Sequence, residues 1–325
     1  MTHKHVLLVG AGQIAHSHAA AIARRDDMSI AAVVDPDRQA ALRFADRWRI
    51  SRATADLSSA LADSGIDGVV ICSPTAVHHE QALQAIKAGL PVLVEKPIAA
   101  DLAEARQITE LAAENGVPVV PAQILRYLPM FEWAKRLIAA GELGRPVQAI
   151  ERRLVDRADN FPWWKDLPNF LISHWGSHSV DLLCYLLRGR PAATYCRARS
   201  VRSAFGVVDD FSLLVDFDDG FRFTSAMSFS SKHVVHDIVL IGTEATLVFD
   251  CYRRVACNGR DVVALPEDQM LDQGFDAQLD AFCRAIDGTE LPEAAKFPAT
   301  IAMAALDGAE RSVASGRAEA IRAAR

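Results

Sequence analysis

Short apolar runs alternate with longer amphipathic stretches over roughly the first 120 residues of the chain. Such runs predict strands that are buried on both faces, and the 3.6-residue spacing between them predicts helices. The predicted strands are 5–9, 29–34, 68–72, 91–94 and 118–120, and the predicted helices are 16–25, 38–48, 57–63, 79–88 and 102–114. Because strands that alternate with helices form parallel sheets, residues 1–121 are predicted to form a doubly wound α/β domain.

The pattern changes after Pro121 to longer extended runs with turn residues between them. The predicted strands there are 147–155, 194–200, 211–217, 221–229, 237–242 and 245–249, and the predicted helices are 131–140, 177–187, 275–286 and 299–315. Asp219 and Gly220 stand between two runs of alternating apolar residues, and both residue types accept the backbone of a tight hairpin turn. Residues 122–325 are therefore predicted to form an α+β domain with an antiparallel sheet.

Composition excludes several classes of function. The chain has 35 Lys and Arg residues against 41 Asp and Glu residues, and the resulting charge of −6 argues against a nucleic-acid partner. The apolar runs are shorter than the ~18 residues of a membrane span, and the N-terminus has no signal-peptide pattern, so neither a membrane nor secretion is expected. Six scattered cysteines without a zinc-type spacing are typical of reduced thiols in the cytoplasm.

A glycine motif follows the first predicted strand and opens the first helix. Gly10, Gly12 and Ala15 match G-x-G-x-x-A. The first glycine permits a tight turn, the second lets the main chain approach a pyrophosphate, and the small third residue lets helix and strand pack. The residues of this turn that we assign to the cofactor are Gly10, Gly12, Gln13 and Ile14. Asp35 ends the second predicted strand, where a carboxylate binds the ribose hydroxyls of a dinucleotide.

The end of the second strand also bears on which dinucleotide binds. A carboxylate at Asp35 repels the 2′-phosphate of NADP, so NAD is favoured as the cofactor. Arg38, three residues later, either meets that phosphate or lies across the adenine. NADP therefore stays open as the second choice.

Three further segments resemble a known family. They are CSPTAVHHEQALQAIKAGLPVLVEKP, QILRYLPMFEWAKRLIAAGELGRPV and GSHSVDLLCYLLRG. Together with the glycine motif they make nearly the whole chain similar to the Gfo/Idh/MocA family, which includes glucose-fructose oxidoreductase and inositol dehydrogenase. The resemblance implies an N-terminal Rossmann domain with a doubly wound parallel sheet, and a C-terminal α+β domain with an open, largely antiparallel sheet. It also implies oxidation of a sugar or cyclitol hydroxyl, or reduction of the ketone, by a nicotinamide cofactor.

The resemblance assigns roles to residues of the first domain. Lys96, in the Glu-Lys-Pro segment, matches the lysine that reaches toward the substrate and the nicotinamide, and Glu95 is its neighbour in the cofactor site. The residues that match the family's loop along the cofactor are Ser73, Pro74 and His78.

In the second domain the resemblance points to two segments. Arg126 falls where members often carry arginine and is assigned to the substrate. His178 matches the histidine with the acid/base role, whereas His174 stands where many catalytic members carry an aspartate. Asp181 is expected to be a hydrogen-bond partner near the helix or the cofactor rather than a proton carrier.

The chemistry of alcohol oxidation is consistent with these roles. Removal of a hydroxyl proton needs a base whose pKa lies near the working pH, which a histidine such as His178 provides. A cation near the oxygen stabilises the developing alkoxide, and Lys96 follows a parallel strand, where catalytic groups of such sheets lie. His174 is expected to orient either the substrate or His178.

Other interpretations of the two histidines stay open. His174 and His178 form a substrate-binding pair, a metal site or two structural histidines. A zinc-protease signature needs a glutamate directly after the first histidine, and that neighbour is Trp175, so no metal is predicted. The remaining histidines, His16 and His18 among them, follow no catalytic pattern and are taken as ordinary residues.

Two groups of large apolar residues in the second domain bear on the substrate and on a second subunit. Trp163 and Trp164 form either an apolar floor under a sugar ring or a packing contact. The predicted sheet also carries five large apolar residues, part of which should face water: Phe211, Leu213, Phe221, Phe223 and Phe229. Pairing of subunits through this sheet would cover them, so a homodimer or homotetramer is expected.

The residues and the resemblance together predict an NAD-dependent dehydrogenase that acts on a sugar or polyol. One alternative is a glycosidase or lyase that holds NAD tightly and uses transient oxidation. Another is a non-enzymatic NAD-binding sensor, against which the retained Lys96 and His178 count.

Overall fold

The computed structural model describes residues 3–157, 169–202 and 206–321, and it divides them into two compact units. The first unit consists of the described residues up to Ile124 together with Phe275–Phe297. The second consists of the described residues of Leu125–Gly274 and those from Pro298 onward. As a boundary between functional domains, the division after residue 121 stays a prediction.

The first unit is built on a six-stranded parallel sheet. Its strands are β1 (Lys4–Val9), β2 (Met28–Val34), β3 (Ala53–Thr54), β4 (Gly68–Ile71), β5 (Val92–Glu95) and β6 (Val119–Ala122). They lie in the order β3-β2-β1-β4-β5-β6, so the strand order reverses between β1 and β4. The helices between them are α1 (Gln13–Ala23), α2 (Arg38–Trp48), α3 (Leu57–Leu61), α4 (His78–Lys87) and α5 (Leu102–Asn115). The predicted doubly wound sheet is confirmed.

Local chemistry sets the ends of these helices. The side chain of Asp37 accepts hydrogen bonds from the first-turn N–H groups of α2, and Asp56 and Asp101 do the same for α3 and α5. Helix α5 ends at Gly116, which adopts a left-handed conformation with φ of 63°. Among the strands of this parallel sheet, only β3 is absent from the predicted set, because a two-residue edge strand has no detectable alternation.

The second unit is built on a nine-stranded mixed sheet. Its strands are β7 (Pro146–Asp156), β8 (Pro191–Arg199), β9 (Asp210–Phe217), β10 (Arg222–Ser228), β11 (Ser230–Gly242), β12 (Thr246–Asp250), β13 (Arg254–Cys257), β14 (Arg260–Ala264) and β15 (Glu319–Ala320). The order is β14-β13-β12-β11-β7-β10-β9-β8-β15, and all pairs are antiparallel except β7 with β10. The hairpin between β9 and β10 turns at Asp219 and Gly220 as predicted, with φ of 86° at Gly220.

The helices after the first unit's sheet are distributed between the two units. Their bounds are α6 (Pro129–Ala139), α7 (Gly176–Leu187), α8 (Glu267–Ile286), α9 (Glu293–Lys296) and α10 (Thr300–Ser315). The part of α8 that starts at Phe275 belongs to the first unit. Phe282 and Ile286 pack at Gly68, where an added Cβ would lie 2.8 Å from the Phe282 ring. The absent side chain at Gly68 therefore lets α8 lie close to β4. None of the helices in the described part of the chain is long and apolar enough to cross a membrane.

The expectation that some of the five large apolar residues of the second sheet face water is wrong. Phe211, Leu213, Phe221, Phe223 and Phe229 are all at most 2% exposed. Strand alternation explains this, because residues two apart on β9 share a face and their partners on β10 share it too. All five side chains therefore lie on the buried face of the sheet.

A buried ion pair joins two distant parts of the second unit. The guanidinium of Arg126 donates to both carboxylate oxygens of Asp181, from Nε to Oδ2 at 2.7 Å and from Nη2 to Oδ1 at 2.5 Å. The two side chains are 0% and 2% exposed. Two parallel charge-assisted hydrogen bonds compensate the cost of burying the charges, so either residue alone would be an uncompensated buried ion.

We expect Arg126→Met to lower the free energy of unfolding by about 3–5 kcal/mol, since it leaves Asp181 buried without its cation. Arg152→Met is the matched control, because Arg152 also pairs with an aspartate, Asp237, but is 57% exposed. Its loss should stay below about 1 kcal/mol. Urea denaturation measures both values, and equal losses would show that the buried pair has no special role.

Candidate functional site

The turn after β1 can be formed only by glycine. Gly10 has φ of 98°, and a Cβ there would lie 2.7 Å from the main-chain nitrogen of Ser73. Gly12, by contrast, has open space around its Cβ direction, and no side chain caps the N-terminus of α1 that follows. The main chain at Gly12 and the first N–H groups of α1 are therefore accessible to a phosphate group.

A carboxylate lies at the end of the neighbouring strand β2. Asp35 accepts hydrogen bonds from the main-chain N–H groups of Ala11 and Asp37, both at 2.9 Å. These contacts fix the orientation of its carboxylate and leave further lone pairs for ribose hydroxyls. Arg38 is exposed in the first turn of α2.

These features fit a bound dinucleotide. The open space at Gly12 admits a pyrophosphate, the N-terminus of α1 supplies donors, and Asp35 supplies the ribose acceptor. Gln13 and Ile14 are exposed beside them, and Ile14 is 37% exposed although it is a large apolar residue. A cofactor at this edge would cover it.

The ends of β4 and β5 carry the other residues assigned to this site. Ser73 is half-buried and Pro74 is exposed. Lys96 is half-buried, and it is the one residue from Val92 to Ala99 that is not fully buried. Since β1, β4 and β5 are parallel neighbours, Lys96 lies at the same edge of the sheet as the glycine turn. The first unit thus brings the predicted phosphate, ribose and lysine residues to one edge.

His78 and Glu95 are buried beneath this edge of the sheet and contact the segments that form it. The imidazole of His78 is buried, and its Nδ1 and Nε2 each lie 2.8 Å from a carbonyl oxygen, of Pro97 and of Ser73. Burial lowers the pKa of this imidazole, and the two carbonyl oxygens oppose that shift. Direct contact of His78 or Glu95 with the cofactor stays a prediction.

His18, for which the sequence predicts no special role, lies at the centre of a buried cluster. Its Nε2 is 2.8 Å from Oε1 of Glu95. Burial disfavours the charged imidazole, but contacts with the thiol of Cys72 and the carboxylate of Glu95 raise the pKa of His18 to about 10. A signal was available, because Ala15, His18 and Ile22 recur at helical spacing and place His18 on the buried face of α1.

The predicted histidines of the second unit lie at a helical irregularity. A π-helical turn, Leu171–Trp175, carries His174 and leads directly into α7, which carries His178. The ring of His174 stacks on Phe170 with centroids 4.6 Å apart. Both histidines are half-buried, whereas most of α7 is buried, and π-helical turns are frequent at functional sites. His178 is thus partly exposed on an otherwise buried helix.

Two buried polar contacts fix α7 immediately after His178. Ser179 donates to Oε1 of Glu151 at 2.5 Å, and Ser225 donates to the other oxygen at 2.8 Å. Asp181 pairs with Arg126, as described above. Arg126 therefore has a structural partner, and a substrate contact by Arg126 stays a prediction. The role of Glu151 was not predicted, since its partners are distant in sequence.

Two further points concern residues that the sequence singled out. Trp163 and Trp164 lie outside the described residues. Within residues 3–157, 169–202 and 206–321, no group of three or more His, Cys, Asp or Glu side chains is placed to hold a metal ion.

Comparisons with known proteins agree with this geometry. A family model described as the Gfo/Idh/MocA oxidoreductase family with an NAD-binding Rossmann fold matches residues 4–123. A second model, the Gfo/Idh/MocA C-terminal domain, matches residues 131–248.

Individual relatives extend over most of the chain. A scyllo-inositol 2-dehydrogenase (NAD(+)) of Bacillus subtilis is 26% identical over 90% of this chain and 89% of that protein. A D-xylose 1-dehydrogenase (NADP(+)) of Haloferax volcanii is 26% identical over 96% of this chain and 94% of that protein. The crystal structure of GenD2 from gentamicin A biosynthesis, in complex with NAD, has a TM-score of 0.88 at 26% identity and covers 99% of this chain and 97% of that one.

The expected Rossmann sheet, the largely antiparallel second sheet and the NAD cofactor are confirmed by the strand order and the matched models. The chain therefore belongs to the Gfo/Idh/MocA family of oxidoreductases with an NAD-binding Rossmann fold.

Proposed function

We propose that this chain transfers hydride between NAD and the carbon that bears a hydroxyl or carbonyl group in a sugar, polyol or cyclitol. The observation that carries the proposal is the position of Lys96, half-buried directly after β5 at the sheet edge that carries the glycine turn and Asp35. Oxidation of an alcohol in this way needs a bound dinucleotide to accept the hydride and a cation to stabilise the alkoxide, and this edge of the sheet has residues for both. The names of the two relatives from Bacillus subtilis and Haloferax volcanii refer to polyhydroxylated substrates, which supports the substrate class.

Each proposed residue has one task in the reaction. Bound NAD supplies the hydride acceptor. During oxidation the imidazole of His178 takes the hydroxyl proton, and in reduction it returns that proton. The ammonium of Lys96 stabilises the negative charge that develops on the same oxygen. His174, with its ring held against Phe170, orients the substrate or His178.

A substrate screen tests the proposal directly. Aldoses, cyclitols and uronates are incubated with NAD and with NADP, and the absorbance of the reduced nicotinamide is followed. We expect at least one polyhydroxylated compound to give reduced cofactor. Substrate conversion without net reduced cofactor, by protein that retains NAD through purification, would contradict the proposal.

The cofactor preference depends on Asp35. We expect NAD to bind at least several-fold more tightly than NADP, because the carboxylate accepts ribose hydrogen bonds and repels a 2′-phosphate. Asp35→Ser should narrow this difference, while Asp46→Ser, on the same unit but away from the turn, should leave it unchanged. Calorimetric titration measures both affinities, and equal affinities in the unmodified protein would refute the assignment.

The catalytic roles are tested by Lys96→Met and His178→Asn. Each should lower turnover by ~10²-fold or more, through loss of charge stabilisation or of the base. NAD affinity should change little, because neither residue is proposed to hold the pyrophosphate or the ribose. Lys87→Met and His233→Asn are matched controls, as both residues are exposed. If turnover survives either test substitution, that residue has no role in the chemical step.

We also propose that two copies pair through the open face of the second sheet. On the face opposite the five buried apolar side chains, one residue from each of seven strands lies in register with its neighbours. These residues are Tyr195, Leu214, Thr224, Ile150, Val239, Val248 and Ala256. Tyr195 is 37% exposed and Ile150 is 39% exposed. A continuous, mostly apolar row on a sheet face is typical of a two-fold interface.

We propose the cytoplasm as the compartment of this protein. All six cysteines are free thiols, which supports a reducing environment.

Ile150→Asp tests this interface. The buried charge should convert the oligomer to a monomer, because the aspartate would meet its own copy or another apolar residue across the two-fold axis. Leu42→Asp is the control, since Leu42 is 41% exposed on α2 of the first unit. Light scattering at micromolar concentration gives the mass, and an unmodified protein that is already monomeric would refute the proposal.

A further inference from the structure

The main chain around Lys96 is held by side chains from two helices. On one side, the carboxylate of Glu95 accepts from the main-chain N–H of Lys96 at 3.1 Å with Oε2. Its other oxygen, Oε1, is bonded to His18 of α1 at 2.8 Å. His18 is 0% exposed and Glu95 is 8% exposed, so water does not compete for these bonds.

The other side of Lys96 is held by α4. His78, in the first turn of that helix, lies 2.8 Å from the carbonyl oxygen of Pro97 and 2.8 Å from that of Ser73. A neutral imidazole has one N–H, so His78 donates to one of these two oxygens and packs against the other, and in this way one ring spans the segment after β5 and the loop after β4. Since His78 is 1% exposed, this connection is also shielded from solvent.

We propose that His18 and His78 are positioning residues, which hold the Glu95–Pro97 segment from both sides and thereby fix the main chain that carries Lys96. The inference rests on the proposed role of Lys96. The side chain of Lys96 is itself flexible, so the main chain is the part of this residue that the two histidines can fix. A shifted or mobile main chain lowers the fraction of time that the ammonium spends near the reacting oxygen, and small misplacements cost large factors in rate.

The charges in the cluster are consistent with this role. The neighbours of His18 that can carry charge are Glu95 and Cys72, and those of Glu95 include Lys96 and His78. Burial raises the pKa of the Cys72 thiol, so the thiol is neutral at neutral pH. The carboxylate of Glu95 is then paired with the imidazolium of His18, and the buried cluster needs no second cation.

The histidines also connect Lys96 with the cofactor turn. Helix α1 begins directly after Gly12 and carries His18 in its second turn, so one helix contacts the phosphate site with its N-terminus and the lysine segment with its side chain. The loop that His78 reaches, at Ser73, is the one against which Gly10 packs. The same helices therefore define both positions.

The test compares His18→Leu and His78→Leu with two neighbours on the same helices. His16→Leu is the control for α1, because His16 accepts from Trp48 and packs on Phe44 rather than on the lysine segment. His79→Leu is the control for α4. His18→Gln is the conservative variant, since its amide can still donate to Glu95.

The first measurement needs no substrate. Hydrogen exchange at the Lys96 main-chain N–H should accelerate by at least ~10-fold in His18→Leu and His78→Leu, and much less in the two controls. His18→Gln should return most of the protection. If His18→Leu does not fold, Glu95→Gln serves instead. The carboxylate of Glu95 uses one oxygen for His18 and the other for the Lys96 N–H, whereas a glutamine amide has only one accepting oxygen and no charge.

The second measurement separates turnover from binding. With any substrate that the screen identifies, the two leucine variants should lose ~10-fold to 10²-fold in kcat, and in His18→Leu, which is assigned no cofactor contact, the Kd for NAD should stay within ~3-fold. Unchanged exchange at Lys96 would overturn the positioning role whether or not the chain is a dehydrogenase. Accelerated exchange with unchanged kcat would instead refute the role of Lys96, and with it the proposed chemistry.

Discussion

The close approach of two main-chain segments, at Gly10 and at Cys72–Ser73, determines much of the first unit. An added Cβ at Gly10 would lie within 2.8 Å of three main-chain atoms of those residues. This contact brings the ends of β1 and β4 together where the strand order reverses, and it sets the position from which α1 starts. Because α1 carries His18 in its second turn, the same contact sets the distance from His18 to Glu95, and through Glu95 the main chain of Lys96.

The second unit uses buried charge for a comparable purpose. Helix α7 is almost wholly buried, and apolar packing alone permits small sliding movements of a helix. The contacts of Ser179 with Glu151 and of Asp181 with Arg126 have strict geometry, since a buried polar group or charge without a partner is costly. They anchor α7 to β7 and to the segment before α6, immediately after His178. The stacking of Trp175 on Arg153, with ring and guanidinium 4.0 Å apart, holds the preceding π-helical turn.

The features predicted from sequence are those with a local cause. The glycine turn, Asp35 and the parallel strands follow from residues that are adjacent along the chain, so periodicity and turn chemistry suffice for them. The partners of His18, Arg126 and Glu151 lie 77, 55 and 28 or more residues away, and no local pattern encodes such pairs. Alternation along the strands of the second sheet identifies two faces but not which of them the helices cover, so the burial of all five large apolar residues is not predictable from the sequence pattern.

The first unit is discontinuous in sequence, because Phe275–Phe297 complete what the residues up to Ile124 begin. During synthesis on the ribosome at 5–20 residues per second, the two parts emerge roughly 8 to 30 s apart. Through that interval the surface at Gly68 and the ring of His18 lack the cover of Phe282, Ile286 and Phe275. The nucleotide-binding unit thus reaches its final packing only after every strand of the second sheet except β15 has been made, although its own sheet is complete by residue 122.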